Sequence, residues 1–142
     1  MTRVAVVVWL VVLGACFAGG ETASPQREAS AGLGERFALP YARTVTVADL
    51  HVSFATVTTD SRCPRKVVCV WAGDAAIVLE VKHGAETRSV ELHTTPPQTT
   101  GEAFDHRIEL VSLDPYPDEP SERKPNTYVA HLVVDGEERE KR

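Results

Sequence analysis

The stretch "AAIVLEVKHGAETRSVEL", residues 75–92, predicts a β-hairpin and with it the fold class. Apolar side chains recur at every second position of its two halves, at Ala75, Ile77, Leu79 and Val81 and again at Val90 and Leu92. Because successive side chains of a strand point to opposite faces, this period of two gives each half one apolar face. The segment "HGAE" between the halves, residues 83–86, is typical of a tight turn. Two strands joined in this way pair antiparallel.

Four further segments show the strand pattern: "RFALPY" (36–41), "TVTVADLHVSFATV" (44–57), "RIELVSL" (107–113) and "TYVAHLVV" (127–134). In the second of them the alternation changes parity at Val57, which indicates a bend or a β-bulge. No segment has the period of an amphipathic helix. We therefore predict an all-β chain: a single small antiparallel β-sandwich or barrel over residues 35–135, with one short-loop disulfide.

Proline and charge mark the segments that we expect outside the sheet. "TTPPQTTGEAFD" (94–105) and "DPYPDEPSERKP" (114–125) are rich in proline, which cannot donate a hydrogen bond to a neighbouring strand. Residues 136–142 form a charged tail, which is typical of a solvated terminus.

The segment "DSRCPRKVVCVWAGDA", residues 60–75, carries two of the three cysteines. A disulfide between Cys63 and Cys69 would close a short loop and stabilise the fold by about 2 kcal/mol. A structural zinc site is the alternative, but it takes four ligands and usually a C-x₂₋₄-C spacing, whereas five residues separate these cysteines. We expect Asp60 to form an Asx turn, and Trp71 to be a structural anchor that packs over the bridge or caps the core.

The N-terminus predicts export. Arg3 precedes the apolar run from Val4 to Leu13, which is too short to span a bilayer and fits a signal peptide over residues 1–15. The sequence Leu-Gly-Ala-Cys that ends at Cys16 resembles the lipobox of bacterial lipoproteins. That resemblance implies a lipidated Cys16 and an envelope location, at the outer membrane if the cell is Gram-negative. Residues 17–34 are rich in Gly, Ala, Ser and Glu and show no apolar period, so we predict a flexible linker over residues 16–34. A plain signal peptide with a chance cysteine is the alternative.

Two motifs of the folded part resemble a group of small, largely uncharacterised bacterial lipoproteins and secreted proteins. They are "DSRCP" (60–64) followed by "CVWAG" (69–73), and "SLDPYP" (112–117). The resemblance implies a compact β-domain on the cell envelope, and it implies no activity.

Several classes of function fit the sequence poorly. The net charge is −5 with no basic stripe, so nucleic acid is not an expected partner. The chain has no G-x-S-x-G motif, and its five histidines form no H-x-H or H-x-x-x-H pair. We therefore expect no enzyme, no cofactor and no metal site.

The function that we predict is a non-catalytic binding module of the envelope, which contacts another protein or an envelope polymer. The candidate binding loop is the cysteine loop with its cations Arg62, Arg65 and Lys66, together with the "DPYP" segment. Such cations on an acidic protein can steer an anionic partner. An inhibitor of an exported hydrolase, such as a protease or lysozyme, is the alternative, because a closed loop is pre-organised for binding. A metal carrier is a third hypothesis.

Overall fold

The structure is a computed structural model that describes residues 29–118 and 124–136. These residues contain nine strands and one short 3-10 helix. The strands are β1 (Ala29–Ala31), β2 (Arg36–Pro40), β3 (Thr44–Val47), β4 (Leu50–Asp60), β5 (Ala75–His83), β6 (Glu86–His93), β7 (Thr100–Ala103), β8 (His106–Asp114) and β9 (Val129–Gly136), and the helix is Pro125–Thr127. The predicted signal peptide, Cys16 and residues 137–142 of the predicted tail lie outside the described residues. Within them, no helix has the length and hydropathy needed to cross a bilayer.

The strands form two sheets, of order β1-β3-β4-β5-β6 and β2-β9-β8-β7. Neighbouring strands pair antiparallel, except that β1 pairs parallel with β3. The all-β fold and the sandwich are thus confirmed.

The hairpin that decides the fold is β5 with β6, and its turn lies where the sequence predicts it. His83 pairs with Glu86, so only Gly84 and Ala85 connect the strands. Gly84 has a φ of 59°, a conformation that is free of strain only for glycine, at the first central position of the turn.

The core lies between the sheets, and the alternation of the sequence supplies it. The first sheet contributes buried residues such as Val52, Phe54, Ile77, Leu79 and Leu92, and the second contributes Leu39, Ile108, Leu110, Leu132 and Val134. In β4 the register against β5 shifts between Phe54 and Thr56 and again between Val57 and Thr59. This irregularity confirms the parity change that the sequence shows at Val57.

Two predicted boundaries are wrong. The linker was expected to reach residue 34, but Ala29–Ala31 already form β1, at the edge of the first sheet. The segment 94–105 was expected outside the sheet, but it contains β7. Both are edge strands, and neither contains a large apolar side chain that could mark one face, since β1 reads Ala-Ser-Ala and β7 reads Thr-Gly-Glu-Ala. Gly101 of β7 also lies so close to the other sheet that a Cβ there would come within 2.5 Å of Val90.

The sandwich has two ends with different connections. The hairpins β3–β4, β5–β6 and β7–β8 lie at one end. At the other end, β4 leads into β5 through residues 61–74, and β8 leads into residues 115–118. We call residues 61–74 the stapled loop, because it contains Cys63 and Cys69.

Candidate functional site: a stapled loop with an apolar tip

Two backbone hydrogen bonds join the two ends of the stapled loop at its base. The Ser61 amide donates to the carbonyl of Asp74 at 2.7 Å, and the Cys63 amide donates to the carbonyl of Ala72 at 2.8 Å. Gly73 makes this approach possible: its φ is 71°, and a Cβ on it would lie 1.9 Å from the Ser61 carbonyl oxygen. The path of the loop is therefore fixed where it leaves the sheet.

A disulfide joins Cys63 to Cys69, with 5.9 Å between their Cα atoms, as the sequence predicts. Between them the Val67 amide donates to the carbonyl of Pro64 at 3.2 Å, which makes a turn inside the ring. The ring is thus closed by a covalent bond at its neck and by a backbone hydrogen bond within it.

Arg62 ties the loop to the second sheet from inside. Its guanidinium donates to both carboxylate oxygens of Asp60, at 2.9 and 2.7 Å, and to the backbone carbonyls of Leu113 at 2.6 Å and Pro115 at 3.0 Å. The hydroxyl of Tyr128 donates to Asp60 at 2.8 Å. Arg62 is only 4% exposed, so the prediction that it projects into solvent is wrong. A charge this deep requires a partner, and the neighbouring Asp60 provides it.

Asp60 remains ionised in this setting. Burial raises the pKa of its carboxyl, but the hydrogen bonds from Arg62 and Tyr128 and the charge of Arg62 outweigh burial and hold the pKa below its ordinary value. The Arg62 amide also donates to Asp60 at 3.2 Å, which confirms the predicted Asx turn. Asp60 and Arg62 therefore both have a structural role.

The segment after β8 supports the outer side of the loop. The amides of Arg65 and Lys66 donate to the carbonyls of Pro117 at 3.1 Å and Asp118 at 3.3 Å. The Arg65 guanidinium lies 4.8 Å from the ring centroid of Tyr116 and 3.2 Å from the carboxylate of Asp118. The predicted candidate loop and the "DPYP" segment thus meet, but its cations do not act together: Arg62 is buried, Arg65 pairs with an acid, and Lys66 lies at the surface.

The stapled loop exposes several apolar side chains. Val68, Val70 and Trp71, which we call the apolar knob, are 103%, 87% and 81% exposed. The prediction that Trp71 packs over the bridge or caps the core is therefore wrong. The run "VVCVW" (67–71) carries the signal that the sequence reasoning missed, because a short loop has little interior in which so many apolar side chains can be buried.

A second polar cluster surrounds Asp74 at the foot of the loop. One oxygen of its carboxylate accepts hydrogen bonds from the hydroxyl of Thr94 at 2.9 Å and from the amide and hydroxyl of Thr95. The other oxygen lies 2.5 Å from Nδ1 of His93, whose Nε2 lies 3.4 Å from Glu91. The cluster joins the start of β5 to the end of β6.

Hydrogen bonds within this cluster shift the pKa values of Asp74 and His93 in opposite directions. Burial raises the pKa of Asp74, but the hydrogen bonds of Thr95, His93 and Thr94 outweigh it and lower the pKa to about 2. The hydrogen bond to Asp74 in turn raises the pKa of His93. A carboxylate lies at each ring nitrogen of His93, and both contacts stabilise the protonated imidazole relative to the neutral one.

The opposite end of the sandwich holds an open groove of about 920 Å³. Its lining mixes both signs of charge, with Arg88, Arg107, Glu102 and Asp135 around Phe104. Arg88 stacks on the Phe104 ring at 4.4 Å. Among residues 29–118 and 124–136, no group of three or more His, Cys, Asp or Glu side chains is placed to hold a metal ion.

Comparison of the chain with protein-family models, with curated proteins and with solved structures finds no match. The geometry nevertheless accounts for the joint presence of the two motifs that carry the resemblance described above. Arg62 of "DSRCP" donates to carbonyls of Leu113 and Pro115 in "SLDPYP". The two motifs are thus the two halves of one structural clamp.

Proposed function

We propose that this protein is a lipid-anchored bacterial envelope lipoprotein that acts as a non-catalytic binding module, with the apolar knob as its contact surface. One observation carries the proposal: Trp71 is 81% exposed on a loop that a disulfide and a buried arginine hold in place. A large exposed aromatic side chain on a rigid support is typical of the residues that dominate binding energy at interfaces.

The form of the surface supports binding through apolar contact rather than through charge. Arg62 already pairs with Asp60, and Arg65 already lies against Asp118 and Tyr116. The knob itself bears no charged side chain. This revises the contact surface expected from the sequence, where three cations were to steer the partner.

Lipid attachment is tested by growing cells with labelled palmitate. We expect label on the parent protein and none on the Cys16→Ser variant, since only the cysteine thiol can be joined to diacylglycerol. Label that persists on the variant would refute the anchor.

Binding by the knob is tested by hydroxyl-radical footprinting, read by mass spectrometry at single residues. We expect Trp71 to be oxidised in the purified lipidated protein and protected in intact cells. Val111, which is 42% exposed on β8, serves as the control and should be oxidised equally in both. Equal oxidation of Trp71 in both preparations would contradict the proposal.

The closed ring also favours a second candidate, an inhibitor of an exported hydrolase. The exposed backbone of residues 67–70 is held at both ends, by the bridge and by the bonds at the base of the loop. Such a loop can enter a cleft without losing much conformational entropy. Assays of protease and lysozyme activity with the parent and a Val68→Asp variant test this: inhibition by the parent alone supports it, and no inhibition by either excludes it for those enzymes.

A further inference from the structure

We propose that the apolar knob inserts into the surface of the same lipid bilayer to which Cys16 is anchored, and so holds the sandwich in one orientation on the membrane. This inference rests on the proposed function, and it names the component that the knob contacts.

The chemistry of the knob fits the boundary between lipid and water. Trp71 combines a large apolar ring system with one N–H donor, and tryptophan is enriched where one side of a residue meets lipid and the other meets water. Val68 and Val70 are more exposed than Trp71 and are purely apolar. Their transfer out of water is favourable in any apolar medium, with no matching partner surface required.

The direction of β1 shows which end of that strand is nearer the knob. β4 runs toward the stapled loop and ends at Asp60. β3 is antiparallel to β4, and β1 is parallel to β3, so β1 runs away from the stapled loop. The first residue of β1, Ala29, is therefore the end of this strand that is nearer the knob.

The length of the chain between anchor and fold keeps the knob close to the membrane. From Cys16 to Ala29 there are thirteen Cα–Cα steps, which reach at most about 45 Å when fully extended. Ala29 lies level with Val52 and Val81, and Ala75, at the foot of the stapled loop, is six residues further along β5. Six residues of strand measure about 20 Å. The tether is thus long enough for the knob to meet the bilayer and too short for the domain to leave it.

The two described arginines beside the knob are paired and do not oppose this arrangement. At the knob end, Arg62 is neutralised by Asp60, and Arg65 lies against Asp118. Insertion that depends on apolar side chains should therefore occur on zwitterionic lipid and should change little with salt.

Trp71 is its own reporter in the experiment that tests this inference. The chain has two tryptophans, and Trp9 lies within the signal peptide that processing would remove. The lipidated protein is reconstituted into phosphatidylcholine vesicles with plain or brominated acyl chains, at low and high salt. Flotation shows whether the protein is bound, and fluorescence shows whether Trp71 is near the bromine atoms.

We expect brominated lipid to quench Trp71 equally at both salt concentrations. A Val68→Ser, Val70→Ser double variant should recover the fluorescence, because losing two apolar side chains shifts the ratio of inserted to free knob by roughly tenfold or more. The matched control, Val111→Ser on β8, should stay quenched.

The outcomes separate the two proposals. If the protein floats with the vesicles but brominated lipid does not quench Trp71, the inference is overturned, whereas the proposed lipid anchor is supported. Capture of an envelope protein by the knob would then identify a protein as the partner. Protein that does not float refutes the proposed anchor and, with it, the inference.

Discussion

The contacts of the buried Arg62 with Asp60, Leu113 and Pro115, which we call the arginine clamp, give the sharpest test of the fold around the site. Arg62→Ala removes the guanidinium that donates to Asp60 and to the carbonyls of Leu113 and Pro115. The side chain of Asp60 is only 3% exposed, so the substitution removes the guanidinium from a buried carboxylate that also accepts a hydrogen bond from the Tyr128 hydroxyl. Removal of one partner from a buried ion pair costs about 3–5 kcal/mol. We expect a loss near the middle of that range, about 4 kcal/mol, which is a large part of the stability of a small domain.

The control is the other arginine of the same loop. Arg65 pairs with Asp118 at 3.2 Å, but both side chains are well exposed, and such pairs contribute about 0–1 kcal/mol. Arg65→Ala should therefore shift the urea midpoint little, whereas Arg62→Ala should shift it strongly. Arg62→Lys should not restore the urea midpoint of the parent, because a lysine cannot supply the planar set of donors that reaches four acceptors.

The pH dependence adds a second measurement to the same perturbation. In the parent the pKa of Asp60 is below the unfolded value of 3.8, so the stability that it contributes is present above pH 3.8 and is lost as the pH falls further. In the Arg62→Ala variant the cation is absent, so burial raises the pKa of Asp60. Protonation of Asp60 in acid then removes the cost of the buried negative charge. The difference in unfolding free energy should thus be largest at neutral pH and should narrow below about pH 4. Equal urea midpoints for Arg62→Ala and Arg65→Ala would refute the clamp.

Replacing both cysteines of the stapled loop by serine should lower the free energy of unfolding by about 2 kcal/mol, as measured in urea, and an unchanged midpoint would contradict a structural bridge. Gly73→Ala should lower the free energy of unfolding by at least about 2 kcal/mol, because its Cβ would meet the Ser61 carbonyl. Gly84→Ala has open space around it and should cost only the ~1 kcal/mol of its positive φ, so equal losses would be inconsistent with the close approach at Gly73. NMR titration should find the Asp74 carboxyl at a pKa of about 2, so that its stabilisation holds above pH 3.8 and is lost as the pH falls toward 2. The raised pKa of His93 stabilises the fold below pH 6.5, and this stabilisation is lost as the pH rises through the folded value; Asp74→Asn should move that pKa back down, and an unmoved value would count against the pair.

The strands could be predicted because each carries its own pattern. The alternation in β5 and in β9 depends only on which face meets the core, and the parity change at Val57 marks the irregularity of β4 without reference to its partner. β1 and β7 lack such a pattern, since neither contains a large apolar side chain and each is held by backbone pairing with one neighbour.

The site was harder to predict because its contacts are distant in sequence. Arg62 is buried by carbonyl groups more than fifty residues away, and local sequence shows only three cations near one another. The size of Trp71 favours a place over the bridge or against the core. The structure instead leaves it exposed on the stapled loop.

The central claim is that the stapled loop is the contact surface of an anchored protein, and photo-crosslinking in living cells tests it most directly. A photoreactive amino acid is placed at Val68 of the full-length chain and, as the control, at Val111, which is also exposed but lies on β8. Irradiation at position 68 should give an adduct with the envelope, and the proposed insertion predicts that its mass is that of a lipid. Position 111 should give little. Equal yields at the two positions, or no adduct at position 68 in a protein that carries its lipid, would contradict the account.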